Sequence, residues 1–259
     1  MADLRDHLPG LEPERRITDW GRSERAEALV DRTLYEFLYH YWFRVEVHGA
    51  ENVPGAGGAL LVANRAGLVP FDGAMIARAV RQEHPRGRSV HLAASRSFSA
   101  VPGLGALLTK LGVIAAHPAN LHRLLYDEQE LVLAFPEGGA GAHKPVRERY
   151  RLRAFMESEF VTAAVAAGVP IVPVAVLGGE EAAPVVGRLA TRLPISPPVP
   201  LPAKFLIRFL EPLRPQALSL AERDERELSE RLRGVIQDSL VEMLSRRRSP
   251  WYSSSREHR

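Results

Sequence analysis

The chain has 259 residues, 46% of them hydrophobic and 25% charged, with a formal net charge of +3. That length supports one large domain or two small ones, and 34 Lys plus Arg against 31 Asp plus Glu is too mild a balance to call for nucleic acid, though a local basic patch could face an anionic ligand or a membrane surface. With no cysteine in the chain, disulfides, thiolate nucleophiles and cysteine-ligated metals are excluded together.

Residues 1–22 read as a flexible arm, because Pro9, Gly10 and Pro13 break any pattern. This charged start lacks the apolar core of an export signal. No apolar run approaches the roughly 18 residues of a transmembrane helix, so the expectation is a cytoplasmic chain. A helix begins at Ser23, with Ala26, Leu29, Val30, Thr33, Leu34, Phe37, Leu38, Tyr41 and Trp42 recurring at three and four residues. The plainer reading packs this face on the core. The alternative is an interfacial helix whose aromatic rings, rich from Tyr35 to Phe43, sit at lipid headgroup level.

Val45 and Val47 alternate as in a strand, and Asn52-Val53-Pro54-Gly55 is a turn. Gly58–Ala63 is a short apolar run of the kind that fills a buried strand, and Gly73–Val80 reads as a helix with Asp72 at its N-cap. Further strands are expected at 90–94 and 113–115, with a helix at 104–111 that Gly112 stops and another from Asn120 to about Glu128. Leu131–Phe135 is continuously apolar, as in a strand covered on both faces. Residues 136–149 read as a loop before a helix ending at Gly168. In the strand 170–176, the two prolines suggest a bulged or edge-like position. A proline-rich excursion spans 184–202, a strand 205–209, and a last helix carries Leu228, Leu232, Val235, Ile236, Leu240, Val241 and Leu244 on one face. The pattern implies an α/β fold, a mixed, largely parallel sheet flanked by helices, in a single domain over 23–245 with a basic, disordered tail at 246–259.

Common catalytic signatures are absent. There is no Gly-x-Ser-x-Gly elbow, Gly103-Leu104-Gly105 lacks the third glycine of a dinucleotide fingerprint, and the glycines of 138–141 lack P-loop spacing. No His-Glu-x-x-His occurs, and the nine histidines show no metal-ligand spacing, so no metal is expected. Two loops remain. Asn64-Arg65-Ala66-Gly67-Leu68-Val69-Pro70-Phe71-Asp72 joins a strand to a helix, a common place for an α/β protein to keep its chemistry. Phe135-Pro136-Glu137-Gly138-Gly139 leaves the most apolar strand, and its glycines allow backbone amides to approach a ligand. Lys144, Arg147, Arg149, Arg151 and Arg153 follow, a cluster that suits a phosphate or equally a solvated charged surface.

These residues resemble the glycerolipid acyltransferase superfamily, the lysophosphatidate and lysophospholipid acyltransferases. Phe135-Pro136-Glu137-Gly138 is similar to the family's Phe-Pro-Glu-Gly block, Val169–Val174 to its final Val-Pro strand, and Ser95–Pro118 stands where its middle block falls. The likeness runs from about Val45 to Pro212. It implies transfer of a fatty acyl group from acyl-CoA or acyl carrier protein to a glycerolipid hydroxyl, with no other cofactor, by a protein docked peripherally on the inner face of the cell membrane. It also implies a histidine base in the first block, an aspartate that orients it, and Glu137 with Gly138 and Gly139 near the glycerophosphate head. Asn64, Gly67, Lys144 and Arg147 complete the expected substrate-binding set.

The first block departs from the family at its centre: Asn64 and Asp72 are present, but Arg65 stands at the position of the histidine. A guanidinium, with a pKa above about 12, accepts no proton at neutral pH. Three readings stay open. The chain is an inactive relative that binds lipid or a partner; another histidine, His143 or His91, is the base; or Asp72 is a weaker base while Arg65 holds a phosphate. A structural Arg65–Asp72 ion pair is a plainer role for both, an exposed loop histidine the plainer role for His143, and helix-cap flanks the plainer role for His117 and His122. A hydrolase or thioesterase is a further rival, weakened by the missing nucleophile elbow.

Overall fold

The computed structural model describes residues 18–65, 71–94, 104–142, 144–155, 159–185, 187–188, 194–195, 197, 199–217 and 224–247. Helix α1 (Glu24–Val30) starts at Ser23, whose hydroxyl accepts the Ala26 N–H at 3.3 Å. Two π-helical turns, Asp31–Tyr35 and Leu38–Trp42, carry the helical path on to β1 (Glu46–His48). Then come β2 (Ala59–Ala63), α2 (Phe71–Glu83), β3 (Val90–Ala94), α3 (Leu104–Lys110) and β4 (Val113–Ala115). The next group is α4 (Pro118–His122), β5 (Leu131–Ala134), α5 (Gly138–Ala142), α6 (Glu159–Ala167) and β6 (Ile171–Leu177). The chain continues through α7 (Gly179–Ala182), a small β7 (Gly187–Arg188) and β8 (Pro194–Ile195) pair, β9 (Leu206–Phe209) and α8 (Glu225–Arg246).

Seven strands form one sheet in the order β1-β9-β6-β2-β5-β3-β4; β6 and β9 are antiparallel and every other pairing is parallel. This is the mixed, largely parallel sheet that alternating strands and helices imply. The continuous apolar runs have their expected cause. In β2, Leu60 and Val62 join a core with Phe160, Val161, Leu232 and Ile236 of α6 and α8, while Leu61 and Ala63 join Met75, Ile76 and Val80 of α2 on the other face. Each such Leu, Ile or Val contributes about 1.5–3 kcal/mol by leaving water. The central strands are therefore fixed from both sides, and their carboxyl ends make a firm base for the loops above them.

Several sequence expectations are corrected. Strand β6 lies inside the sheet, between β9 and β2. The bulge is real, however: Ile171 pairs with Leu213 but Val174 with Phe209, three steps along one chain against four along the other. The missing N–H of Pro173 falls on this irregular side, where its carbonyl accepts the Leu210 N–H at 2.9 Å. Asn120 is not a cap; His117 is, its Nδ1 accepting the Ala119 N–H at 3.2 Å, and that helical path continues through a π turn to Asp127. Within the expected loop 136–149 stand α5 and a 3-10 turn at Val146–Glu148. Tyr150–Phe155 is not helical, since Tyr150 takes a left-handed φ of 58° and the Leu152 N–H donates to Gln237 of α8.

In α8, Leu228, Leu232, Ile236, Leu240 and Met243 are buried, whereas Val235 and Val241 face out. The face read on the first helix also divides. Leu38, Tyr39 and Phe43 enter the core, while Leu29, Leu34, Phe37 and Tyr41 stay exposed. Asp72 lies one residue inside α2, in its first turn, rather than at the cap. The arm before residue 18, the middle-block residues 95–103 and the tail after 247 lie outside the described residues.

Candidate active site

Because β2 and β5 are adjacent and parallel, with Val62 opposite Ala134, their carboxyl ends bring Asn64-Arg65 beside Phe135-Pro136-Glu137. A crevice at the carboxyl ends of parallel strands is where open α/β sheets bind ligands. Both sequence-predicted loops thus meet at one place. Gly67, with the rest of 66–70, and His143 lie outside the described residues.

Asn64 is buried and wholly occupied with the backbone of β6. Its Nδ2 donates to the Val176 carbonyl at 2.9 Å, and its Oδ1 accepts the Val176 N–H at 2.8 Å. An amide side chain offers a donor and an acceptor side by side, which matches the N–H and C=O of a single residue. Its role here is to pin the end of β2 to β6, so that the next residue leaves at a fixed angle.

Glu137 is completely buried. One carboxylate oxygen accepts the Arg65 N–H at 3.1 Å, the other accepts the Arg153 N–H at 2.8 Å, and the Lys144 ammonium lies 3.2 Å away. Lys144 is itself buried and sits 2.9 Å from Glu180, a charge contact off the hydrogen-bond line. Glu137 ties the two loops together, and Lys144 braces it against Glu180. Glu137 therefore shapes the site through backbone amides, and Lys144 is engaged by two carboxylates. Arg147, by contrast, is exposed and only 3.7 Å from Glu148.

Gly138 takes a φ of +53° to turn the chain into α5, and Gly139 is exposed beside it. Gly141 was not singled out by sequence, although it belongs to the same glycine-rich run. A Cβ there would meet the Glu137 Cβ at 2.7 Å and the Arg65 Cβ at 3.2 Å, so α5 lies directly against both loops only because residue 141 has none.

The Arg65 guanidinium carbon lies 5.8 Å from the centre of the Phe135 ring, at the outer reach of a cation–π contact, and its Nε is buried with no hydrogen-bond partner. Asp72 is buried in the first turn of α2, and its Oδ1 accepts the Gly73 N–H at 2.9 Å. The site thus combines a buried carboxylate with a cation whose Nε retains an unmet donor. It carries no described imidazole at position 65.

His91, His117 and His122 are among the described residues, and the Nδ1 of His91 is buried with no hydrogen-bond partner. His91 stands near the start of β3, opposite Val132, away from the strand ends, and burial pushes its pKa down to about 4. His117 caps α4, and His122 packs on Tyr126 with ring centroids 5.3 Å apart.

Behind the Phe-Pro-Glu-Gly loop is a buried group that sequence reading missed. Glu180 accepts the Tyr150 N–H at 2.8 Å, and burial raises its carboxyl to about 7 against the pull of Lys144. Glu181 accepts from the Tyr150 hydroxyl and from Arg247 at 3.0 Å. The only signal was the Gly-Gly-Glu-Glu run directly after β6. Two acids after a strand ordinarily read as a solvated helix start.

The comparisons bear on this arrangement. A family model described as acyltransferase matches residues 44–177, which includes both loops. The chain belongs to the acyltransferase family. Uncharacterized proteins of Mycobacterium tuberculosis and Mycobacterium leprae are 36% and 35% identical to it, each over 96% of this chain and 74% and 72% of their own lengths. The crystal structure of the 1-acyl-sn-glycerophosphate acyltransferase PlsC from Thermotoga maritima shares the fold. Its TM-score is 0.59 at 20% identity, covering 87% of this chain and 80% of that one. Among the described residues no helix is long and apolar enough to cross a membrane.

Proposed function

We propose that this acyltransferase-family protein moves a fatty acyl group from acyl-CoA or acyl carrier protein to the free hydroxyl of a lysophospholipid, lysophosphatidate being the simplest acceptor. It works docked on the inner face of the cell membrane and needs no cofactor or metal beyond the acyl donor. The observation that carries this reading is the meeting of the two loops at the carboxyl ends of β2 and β5, held by Asn64 and Glu137.

In this mechanism the Asp72 carboxylate takes the proton of the acceptor hydroxyl. The oxygen attacks the thioester carbonyl, the C–S bond breaks, and the departing thiolate gains a proton. Arg65 holds the phosphate of the acceptor through a charge-assisted hydrogen bond from its unmet Nε–H. A carboxylate is a weaker base than imidazole at neutral pH, so turnover is slow compared with a site that carries histidine.

One observation favours a second reading, binding without transfer: the residue at the family's base position has no lone pair to accept a proton. Acyl-CoA and lysophosphatidate given to the purified protein separate the readings. Phosphatidate above background supports transfer, lipid binding without product supports the inactive relative, and free fatty acid alone points to a thioesterase.

A further inference from the structure

The segment Tyr150–Arg153 lies outside helix and strand, yet it delivers the Arg153 N–H to Glu137. Tyr150 opens it in a left-handed conformation, φ 58°, which a bulky side chain adopts only where its surroundings over-determine it. Here they do. The Tyr150 N–H donates to Glu180 at 2.8 Å, and its hydroxyl accepts the Gly178 N–H at 2.9 Å while donating to Glu181. Its carbonyl accepts the Gln237 Nε2 at 2.9 Å, and the Gln237 Oε1 accepts the Leu152 N–H at 2.9 Å. One amide of α8 thus pairs with two residues of the segment as a neighbouring strand would.

These bonds are not what holds α8 in place. Leu228, Leu232, Ile236, Leu240 and Met243 already bury its inner face, and Ile236 shares a core with Leu60 and Val62 of β2. Gln237 therefore projects from a fixed helix, and the segment is the part it holds. The connection continues through the Arg153 N–H to one oxygen of Glu137, and from the other oxygen to the Arg65 N–H at 3.1 Å. Asn64 fixes the preceding residue against β6, so freeing Glu137 would let Arg65 swing without unfolding the strand.

We propose that Gln237 and Tyr150 are positioning residues for Arg65. Acting through Arg153 and Glu137, they set where the Arg65 guanidinium stands beside Phe135. The functional effect rests on the reading above in which Arg65 holds the acceptor phosphate. The relay of hydrogen bonds itself is independent of transfer. Loss of either residue should misplace the phosphate contact and spare the acyl donor, because within this relay only Arg65 is assigned to the substrate.

The test uses Gln237→Met, which keeps chain length and helix propensity but offers neither bond. Amide exchange at Arg65 and Arg153 should quicken about tenfold or more relative to Leu61 in β2, which reports global unfolding. Tyr150→Phe, which keeps the ring and removes the hydroxyl, should quicken Arg153 in the same way. Met243→Ala, a core loss on the same helix with no bond to the segment, should leave these ratios unchanged. Unchanged exchange in Gln237→Met overturns the proposal, as does an equal effect of Met243→Ala, which would reduce Gln237 to a structural role. In transfer assays Gln237→Met should raise KM for lysophosphatidate about fivefold and leave KM for acyl-CoA unchanged. In an Arg65→Met background the same substitution should add nothing, since both act on one contact. Additive losses overturn the proposal. No product from wild type defeats the transfer reading alone, and the exchange result still decides the positioning.

Discussion

The Glu137 carboxylate accepts the Arg65 N–H at 3.1 Å, joining the loop after β5 to the loop after β2 across the carboxyl ends of the sheet. The same carboxylate holds the Arg153 N–H and Lys144, so one buried acid organises three segments.

Glu137→Ala removes one of the two carboxylates on the buried Lys144 and the shared acceptor of two part-buried backbone amides. Losing one side of a buried ion pair costs about 3–5 kcal/mol, and urea denaturation should show a loss of that size. A loss under about 1 kcal/mol would mean that water enters and replaces the carboxylate.

Asn64→Ala leaves the N–H and C=O of Val176 unpaired in the core. At about 1–3 kcal/mol per orphaned group, the variant should lose on the order of 3 kcal/mol. Asn64→Asp keeps the acceptor but sets a carboxylate against a carbonyl, so it should not rescue. Full stability in the aspartate variant would rule out this pairing.

Gly141→Ala and Gly234→Ala form a contrasting pair. At Gly141 the new Cβ collides with Glu137 and Arg65, and the variant should lose about 1–3 kcal/mol. At Gly234, within α8, nothing lies within 4 Å of the new atom, so alanine should add about 0.5–1 kcal/mol. Equal effects at the two sites, read from thermal melting, would contradict the packing of α5 against the loops.

Glu180 links stability to pH. Burial raises its folded pKa from 4.5 to about 7, so the folded chain binds more protons than the unfolded chain between those values. The contribution of this group is fully present below about pH 4.5 and is lost as pH rises toward about 7. Denaturation between pH 5 and 7, two points chosen inside that window, should show Glu180→Gln with a flatter decline than wild type. Parallel curves would mean that Glu180 titrates as an ordinary surface acid.

Much of the fold and both loops were legible in the sequence, because buried parallel strands write themselves as unbroken apolar runs such as 59–63 and 131–135. The roles inside the site were harder to see. Glu137 and Lys144 look like ligand-binding groups as letters, yet each is consumed by neighbours distant in sequence, Arg65, Arg153 and Glu180, which local pattern does not reveal. In the same way the first helix hid its division between buried Leu38, Tyr39 and Phe43 and exposed Leu29, Leu34, Phe37 and Tyr41. Its apolar spacing is that of any amphipathic helix, and only Arg78 and Arg81 on α2 decide which side faces in. Pro173 was half legible, since a proline in a strand signals a bulge but does not say which neighbour accommodates it.

Position 65 remains the centre of the functional account: the framework of an acyltransferase is assembled around a residue that cannot take a proton. The most direct measurement is phosphatidate formation from acyl-CoA and lysophosphatidate by wild type, Arg65→His and Asp72→Asn. A general base contributes roughly 10²–10⁴ in rate. Slow product from wild type, a rise of about a hundredfold in Arg65→His and none from Asp72→Asn is the predicted result. No product from either wild type or Arg65→His, with both proteins folded, would contradict acyl transfer at this site.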